Sequence, residues 1–328
     1  MQKIVVTIVL AVMSFFAAPT VTADSIRIAV TGRVPNLGNP YASVMTRGLH
    51  PSSVIFDALT KMDKNGTLVP VLAIEWEATS TTRWIFRLRK DVTFANGEPF
   101  NAHSVVAVFD YLALPEARTM FMAAEARNIR QTRALDDYTV EFTTHKPDAI
   151  FPKRLTLFFM VPLKAWAEMG VSEFALHPIG SGPYQLRDWG FQSGQYTLDR
   201  NSASWRVADG SKGPDELIFY VAADAVARSQ SLISGQTHLV FNLGLDMLAD
   251  LEMLGYGTHT FESPHINAMA MPNADPNHPL SDIRVRNALN MAIDRQAISD
   301  HILYGKTRPN SQGALPQTFG YNPEIPPY

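Results

Sequence analysis

Trp84-Ile-Phe-Arg-Leu-Arg89-Lys-Asp-Val-Thr-Phe94-Ala-Asn-Gly97-Glu-Pro-Phe100-Asn101-Ala-His-Ser-Val105, continuing to Leu112, reads as a strand, a turn and a capped helix in immediate succession. Trp84, Phe86 and Leu88 alternate with Ile85, Arg87 and Arg89, the period of a strand with one apolar face. Val92 and Phe94 resume that alternation. Asn96-Gly97 is expected to supply the positive φ angles of a tight turn. Asn101 stands at a helix N-cap position. Val105, Val108, Phe109 and Leu112 follow at i, i+3, i+4 and i+7, so one helical face is apolar.

Upstream, Ile26, Ile28 and Val30 alternate as a first strand. That strand runs into Gly32-Arg-Val-Pro-Asn36-Leu-Gly-Asn-Pro40-Tyr41, a loop rich in turn formers. In α/β sheets ligands sit outside the carboxyl ends of strands, so this loop is a candidate cleft wall. The alternative is an ordinary surface loop. Ser52 to Leu59 reads as helical. Asp63-Lys-Asn-Gly66 is a turn, without the later acidic ligands of a calcium loop.

Downstream, Asp136-Asp137 turns into an alternating strand from Thr139 to Thr143. Val161-Pro162 begins a helix through Met169. In Pro178-Ile-Gly180-Ser181-Gly182-Pro183-Tyr184 the two glycines are expected to take backbone angles closed to other residues. The spacing is not that of a nucleophile elbow, and no third glycine makes it a dinucleotide fingerprint. Glu216 to Val221 reads as a buried strand. Asp224 caps a helix to Ser234 that Gly235 ends. Met247 to Leu254 is a short helix and Ile266 to Met271 a strand. Asp282 caps a helix with Val285, Leu289, Ala292 and Ile293 on one face, and Asp294 caps a second that closes at Tyr304-Gly305.

The chain starts with Lys3 and an apolar run, Ile4 to Ala18, short for a bilayer span. Val21-Thr-Ala23 fits the small-residue cleavage rule, so Met1–Ala23 is expected to be a signal peptide and Asp24 the mature N-terminus. The 328 residues contain 0 Cys, so neither a disulfide nor a lipid-anchoring cysteine is available. The expected location is the periplasm. The net charge of −3 speaks against nucleic acid, which attracts a basic face. The 9 His, including His259, His265 and His278, show no His-Glu-x-x-His spacing and read as surface or capping residues. No nucleophile–base constellation stands out, so a secreted hydrolase is only a rival class. No catalytic residue, metal site or cofactor is assigned.

Trp84, Phe86, Leu88, Arg89, Val92, Phe94, Gly97, Pro99, Phe100 and Ala102 closely resemble the signature of the family 5 extracellular solute-binding proteins, the peptide- and nickel-binding receptors of ABC importers. Val69-Pro-Val-Leu-Ala73 with Trp76, the Gly180–Tyr184 turn, Arg200-Asn201 with Trp205, and Asp282-Ile-Arg-Val-Arg286 through Leu303-Tyr-Gly305 are similar to the family's further motifs. Two departures stand out. His103-Ser104 replaces an acidic residue after Ala102, which is expected to weaken the cap. Gln236 and His238 replace an acidic pair after Gly235.

The resemblance implies an α/β, two-lobed periplasmic-binding-protein fold of type II. The first lobe would span 24–265, with a small subdomain inserted at about 47–177. Residues 266–328, Pro-rich after Gly305, would begin a second lobe that is incomplete here, so that the chain alone would behave as an open half-receptor. The cleft is expected to be lined by Asn36, Pro40 and Tyr41 and by an aromatic after the first long helix, Phe121. The implied function is capture of oligopeptides for an ABC permease and ATPase complex in the inner membrane. Nickel or metal chelates, sugars, opines, a non-functional fragment, and a separate chain supplying the missing lobe stay open.

Overall fold

The computed structural model describes residues 24–42, 46–210, 212–260, 275–314 and 320–325. They fall into two compact units, divided between Phe241 and Asn242. The expected leader, the strand at 266–271 and the lobe boundary at 265/266 lie outside the described residues.

In chain order the first unit holds β1 (Ser25–Val30), α1 (Thr46–Ile55), β2 (Thr60–Met62), β3 (Leu68–Pro70), β4 (Ala73–Ser80), β5 (Arg83–Leu88), α2 (Ala102–Ala113) and α3 (Phe121–Glu125). Then come β6 (Ile129–Asp136), β7 (Thr139–Thr144), α4 (Phe151–Arg154), α5 (Leu163–Leu176), β8 (Tyr184–Asp188), β9 (Gln195–Arg200), α6 (Trp205–Ala208), β10 (Glu216–Val221), α7 (Ala225–Ile233) and β11 (Leu239–Val240). One sheet runs β11-β1-β10-β9-β8, a second β4-β5-β7-β6, and β2 pairs with β3. In the first sheet β1 is parallel to both β10 and β11, whereas β9 runs antiparallel to β10.

The opening stretch builds the core of the second sheet. Trp84 lies opposite Phe142 and Phe86 opposite Val140. Phe86 and Leu88 point inward while Arg83 and Arg87 stay wet. The apolar face of α2, with Val105, Val108, Phe109 and Leu112 buried, packs onto β6 and β7. Phe109 meets Phe142 edge to face at 5.0 Å, and Phe86 meets the same ring at 5.5 Å, the favoured aromatic geometry.

Three local expectations are corrected. The α2 cap is not weakened: Asn101 Oδ1 accepts from the His103 and Ser104 amides, and Ser104 closes a capping box. Serine thus serves where an acid was expected. At Asn96-Gly97 only Gly97 has positive φ, 86°, so this is not a two-residue turn with both centres left-handed. Gly180 and Gly182 do not have positive φ. They are needed for close approach: a Cβ would fall 1.9 Å from the Ile55 carbonyl oxygen at Gly180 and 2.3 Å from that of Val54 at Gly182.

The sequence motifs meet in space. Arg89 of the opening stretch lies over the Trp205 ring at 4.0 Å and pairs with Asp91 and Asp209. Trp205 Nε1 donates to buried Asp57 at 2.9 Å, and Ser181 Oγ donates to the same carboxylate at 3.0 Å. Arg206 completes the group as the ionic partner of Asp57. Helix α5 breaks at Gly170 (φ 70°, ψ 171°), next to the expected end at Met169.

The second unit holds α8 (Leu245–Met253), α9 (Ile283–Met291) and α10 (Arg295–Ala297). Asp282 caps α9 through the Arg284 amide and Asp294 caps α10 through the Ala297 amide. The chain turns at Tyr304 and Gly305, both with positive φ. No described residue of α9 is buried, so its expected apolar face is uncovered among the described residues.

Candidate ligand-binding face

The parallel strands β1, β10 and β11 end side by side. From β1 the chain runs to α1, which packs by β8 at one edge of the sheet; from β10 it runs to α7, which packs by β11 and β1 at the other. Connections at one end of a sheet do not cross on the same side, so the two diverge and leave a crevice between adjacent strand ends.

Arg228 closes the floor of this region. It is buried, yet its guanidinium is satisfied: Nη1 donates to the Ala222 and Ala223 carbonyls, each at 2.7 Å, and Nε to the Phe241 carbonyl at 3.1 Å. A planar fork suits carbonyls left over where strands end. In sequence Arg228 stands four residues after the Asp224 cap and reads as an exposed ion pair, so periodicity conceals it. Arg33, just after β1, donates to the Gly190 and Phe191 carbonyls, each at 3.1 Å, and ties the loop to the β8–β9 hairpin.

The loop 31–42 is held at several points. Gly38 donates to the Ala175 carbonyl at 2.8 Å, and a Cβ there would fall 2.5 Å from Pro178. Leu37 has φ 50°, a conformation in which non-glycine residues are uncommon. Tyr41 is 0% exposed. Its hydroxyl donates to the Phe159 carbonyl at 3.0 Å, and its ring meets Trp166 edge to face at 5.3 Å. Burial, with the nearby Tyr111 hydroxyl adding to it, raises the Tyr41 pKa well above its ordinary value, so the phenol stays a neutral donor.

Of the four expected wall residues, Asn36 is exposed and Phe121 is 44% exposed, whereas Pro40 is buried with Tyr41. The Tyr41 ring is buried and acts as a core anchor that positions the loop. Its backbone does reach the other candidate, because the Tyr41 carbonyl accepts from the Met122 amide at 3.1 Å. That bond sets the loop beside the start of α3, where Phe121 stands. No hydrogen bond or ring contact joins Asn36 to Phe121 among the described residues.

A sequence profile described as bacterial extracellular solute-binding proteins, family 5 Middle, matches residues 67–328. Di/tripeptide-binding protein 1 of Pseudomonas aeruginosa (strain UCBPP-PA14) is 27% identical over 309 residues, 84% of this chain and 55% of that protein. Glutathione-binding protein GsiB of Escherichia coli O157:H7 is 26% identical over 318 residues, 96% of this chain and 60% of that protein. Among solved structures, the periplasmic binding protein DppA from Helicobacter pylori in complex with peptide STSA superposes with a TM-score of 0.74 at 20% identity, covering 93% of this chain and 63% of that one. A nickel ABC transporter structure from Bacillus halodurans gives 0.67 at 26% identity, covering 89% and 58%. The chain thus spans somewhat over half the length of the relatives it matches and shares their mixed α/β binding-protein fold.

Proposed function

This chain belongs to the family 5 bacterial extracellular solute-binding proteins, and from that premise we propose that it is the periplasmic substrate-binding component of an ABC importer, capturing oligopeptides or similar small solutes. The observation that carries the reading is the anchoring of the loop after β1 onto the start of α3 through the Tyr41 carbonyl and Met122 amide. It sets the segment with Asn36, Pro40 and Tyr41 beside Phe121, at the carboxyl ends of parallel strands. A loop backbone offers amides and carbonyls to a peptide main chain, and an exposed aromatic offers a side-chain surface.

On this reading Met1–Ala23 directs export and is cleaved, the ligand is handed to a membrane permease, and ATP is consumed by partner subunits. The family is one of substrate-binding proteins, and we assign this chain no catalytic step.

Isothermal titration of the purified chain against defined di- and oligopeptides tests the wall. Asn36→Ala and Phe121→Ala are each expected to weaken binding by about tenfold, or roughly 1.4 kcal/mol, with an unchanged thermal midpoint. Unchanged affinity in both rejects it. Metal-chelate binding is a second reading, favoured by the likeness to the Bacillus halodurans nickel transporter structure. Among the described residues no group of three or more His, Cys, Asp or Glu could hold a metal ion. Nickel titrated with and without free histidine separates the two readings.

A further inference from the structure

Away from the loop after β1, a cavity of about 440 Å³ lies between α2, α3 and β6. That is within the size range of small-molecule sites. Arg118, Arg127 and Arg130 line it, together with Asp110 and Thr132. Among the described residues these three arginines have no hydrogen-bond or ion-pair partner, whereas the other arginines with described side chains are engaged. The contrast is sharp on β6 itself: Arg133 is held by Glu141 at 3.1 Å, and Arg130 has no partner among the described residues. All three unengaged arginines therefore converge on one hollow.

A second observation is independent of charge. Thr132 is buried in β6 opposite Phe142, and its hydroxyl has no partner. A buried hydroxyl without a partner is costly, and such groups call for an explanation. Asp110 is drawn the same way: burial lifts its carboxyl above the ordinary value, and no cation lies within ion-pair distance of it among the described residues.

We propose that this cavity is a second ligand site, built for a small acidic zwitterion with several carboxylates and one ammonium group, an acidic dipeptide in chemical class. Three guanidinium forks match carboxylates, since each can donate two parallel hydrogen bonds. Asp110 matches the ammonium, and Thr132 lies in the cavity wall. Phe109, Leu112 and Ile129 give the cavity an apolar lining beside the charged groups. The site shares no residue with Asn36, Pro40, Tyr41 or Phe121, so it stands whether or not that wall binds ligand.

The test is titration of the isotopically labelled chain with Glu-Glu, N-acetyl-Glu-Glu, Ala-Ala and inorganic phosphate, read by calorimetry and by amide resonances. Glu-Glu should bind saturably and shift the Ile129 and Thr132 amides, with Ala-Ala inert. Arg127→Gln combined with Arg130→Gln should weaken Glu-Glu by about tenfold or more at an unchanged thermal midpoint. Asp110→Asn should weaken Glu-Glu and leave its N-acetyl form, which lacks the ammonium, unaffected. Absence of saturable binding in the millimolar range overturns the proposal. So do resonance shifts confined to other segments, full affinity in the arginine variant, or phosphate binding as tightly as Glu-Glu.

Discussion

Asp57 shows what one buried charge does in this chain. Its residue is 1% exposed, and its carboxylate takes hydrogen bonds from Ser181, Trp205 and Arg206. Three segments far apart in sequence are joined there. Asp57→Ala would leave Arg206 without its anion and two further donors without an acceptor. Breaking a buried pair from one side costs about 3–5 kcal/mol, and urea unfolding should read a loss of that order. Tyr41→Phe removes one buried hydrogen bond to Phe159 and should cost about 1 kcal/mol. Because the ring faces inward, peptide affinity should stay the same; an affinity loss at unchanged stability would return Tyr41 to the cleft. Asp91 supplies the pH-dependent case. The hydrogen bond from Arg89 holds its carboxyl below the ordinary value. Its stabilising contribution is therefore complete above the usual carboxylate pKa and is lost as pH falls through the lower folded value. Asp91→Asn should lower stability at neutral pH by that contribution and flatten the acid arm below about pH 4.

At the scale of elements, several helix starts carry side-chain caps, and these come from two sources. Asn101, Asp224, Asp282 and Asp294 each cap the helix that follows them. Helix α5 is different, because its N-cap residue is Pro162 and makes no side-chain cap. Glu98 supplies it instead, from the turn after β5: its two carboxylate oxygens accept from the Lys164 and Ala165 amides, each at 3.0 Å. An anion at a helix N-terminus is also favoured by the helix dipole. Glu98→Ala should cost about 1 kcal/mol, with faster hydrogen exchange confined to the amides of Lys164 and Ala165. Protection of those amides unchanged from the parent would mean that the cap is dispensable. A close backbone approach lies at the end of α1. There Gly180→Ala would push a methyl group onto the Ile55 carbonyl, and overpacking against backbone should cost about 1–3 kcal/mol or more.

For the whole molecule, the core lies in the first unit, and the helices of the second leave large apolar side chains in water. Met291 is 74% exposed, Ile302 64% and Ile283 61%. Clustered apolar exposure promotes association. Sedimentation of the purified chain should show concentration-dependent self-association, reduced by Ile283→Glu combined with Ile302→Glu. A monomer at every concentration would contradict this.

Much of the architecture was legible because its causes are local. The alternation through Trp84, Phe86 and Leu88, the Asn101 cap and the apolar positions of α2 depend on residues within one turn or one pleat of each other. Period and cap chemistry therefore determine them before any tertiary contact forms. The motif order gave the family by the same local residues. Tertiary structure alone decided which way Tyr41 points, since a turn-rich loop places its aromatic equally well in water or in core until Trp166 and Phe159 arrive to receive it. It alone assigned Glu98 to α5, 66 residues away, and Arg206 to Asp57, 149 residues away. It also showed that Gly180 and Gly182 are required by a neighbouring carbonyl rather than by their own φ. Charge pairing and steric approach act through space, so no window of sequence contains both partners.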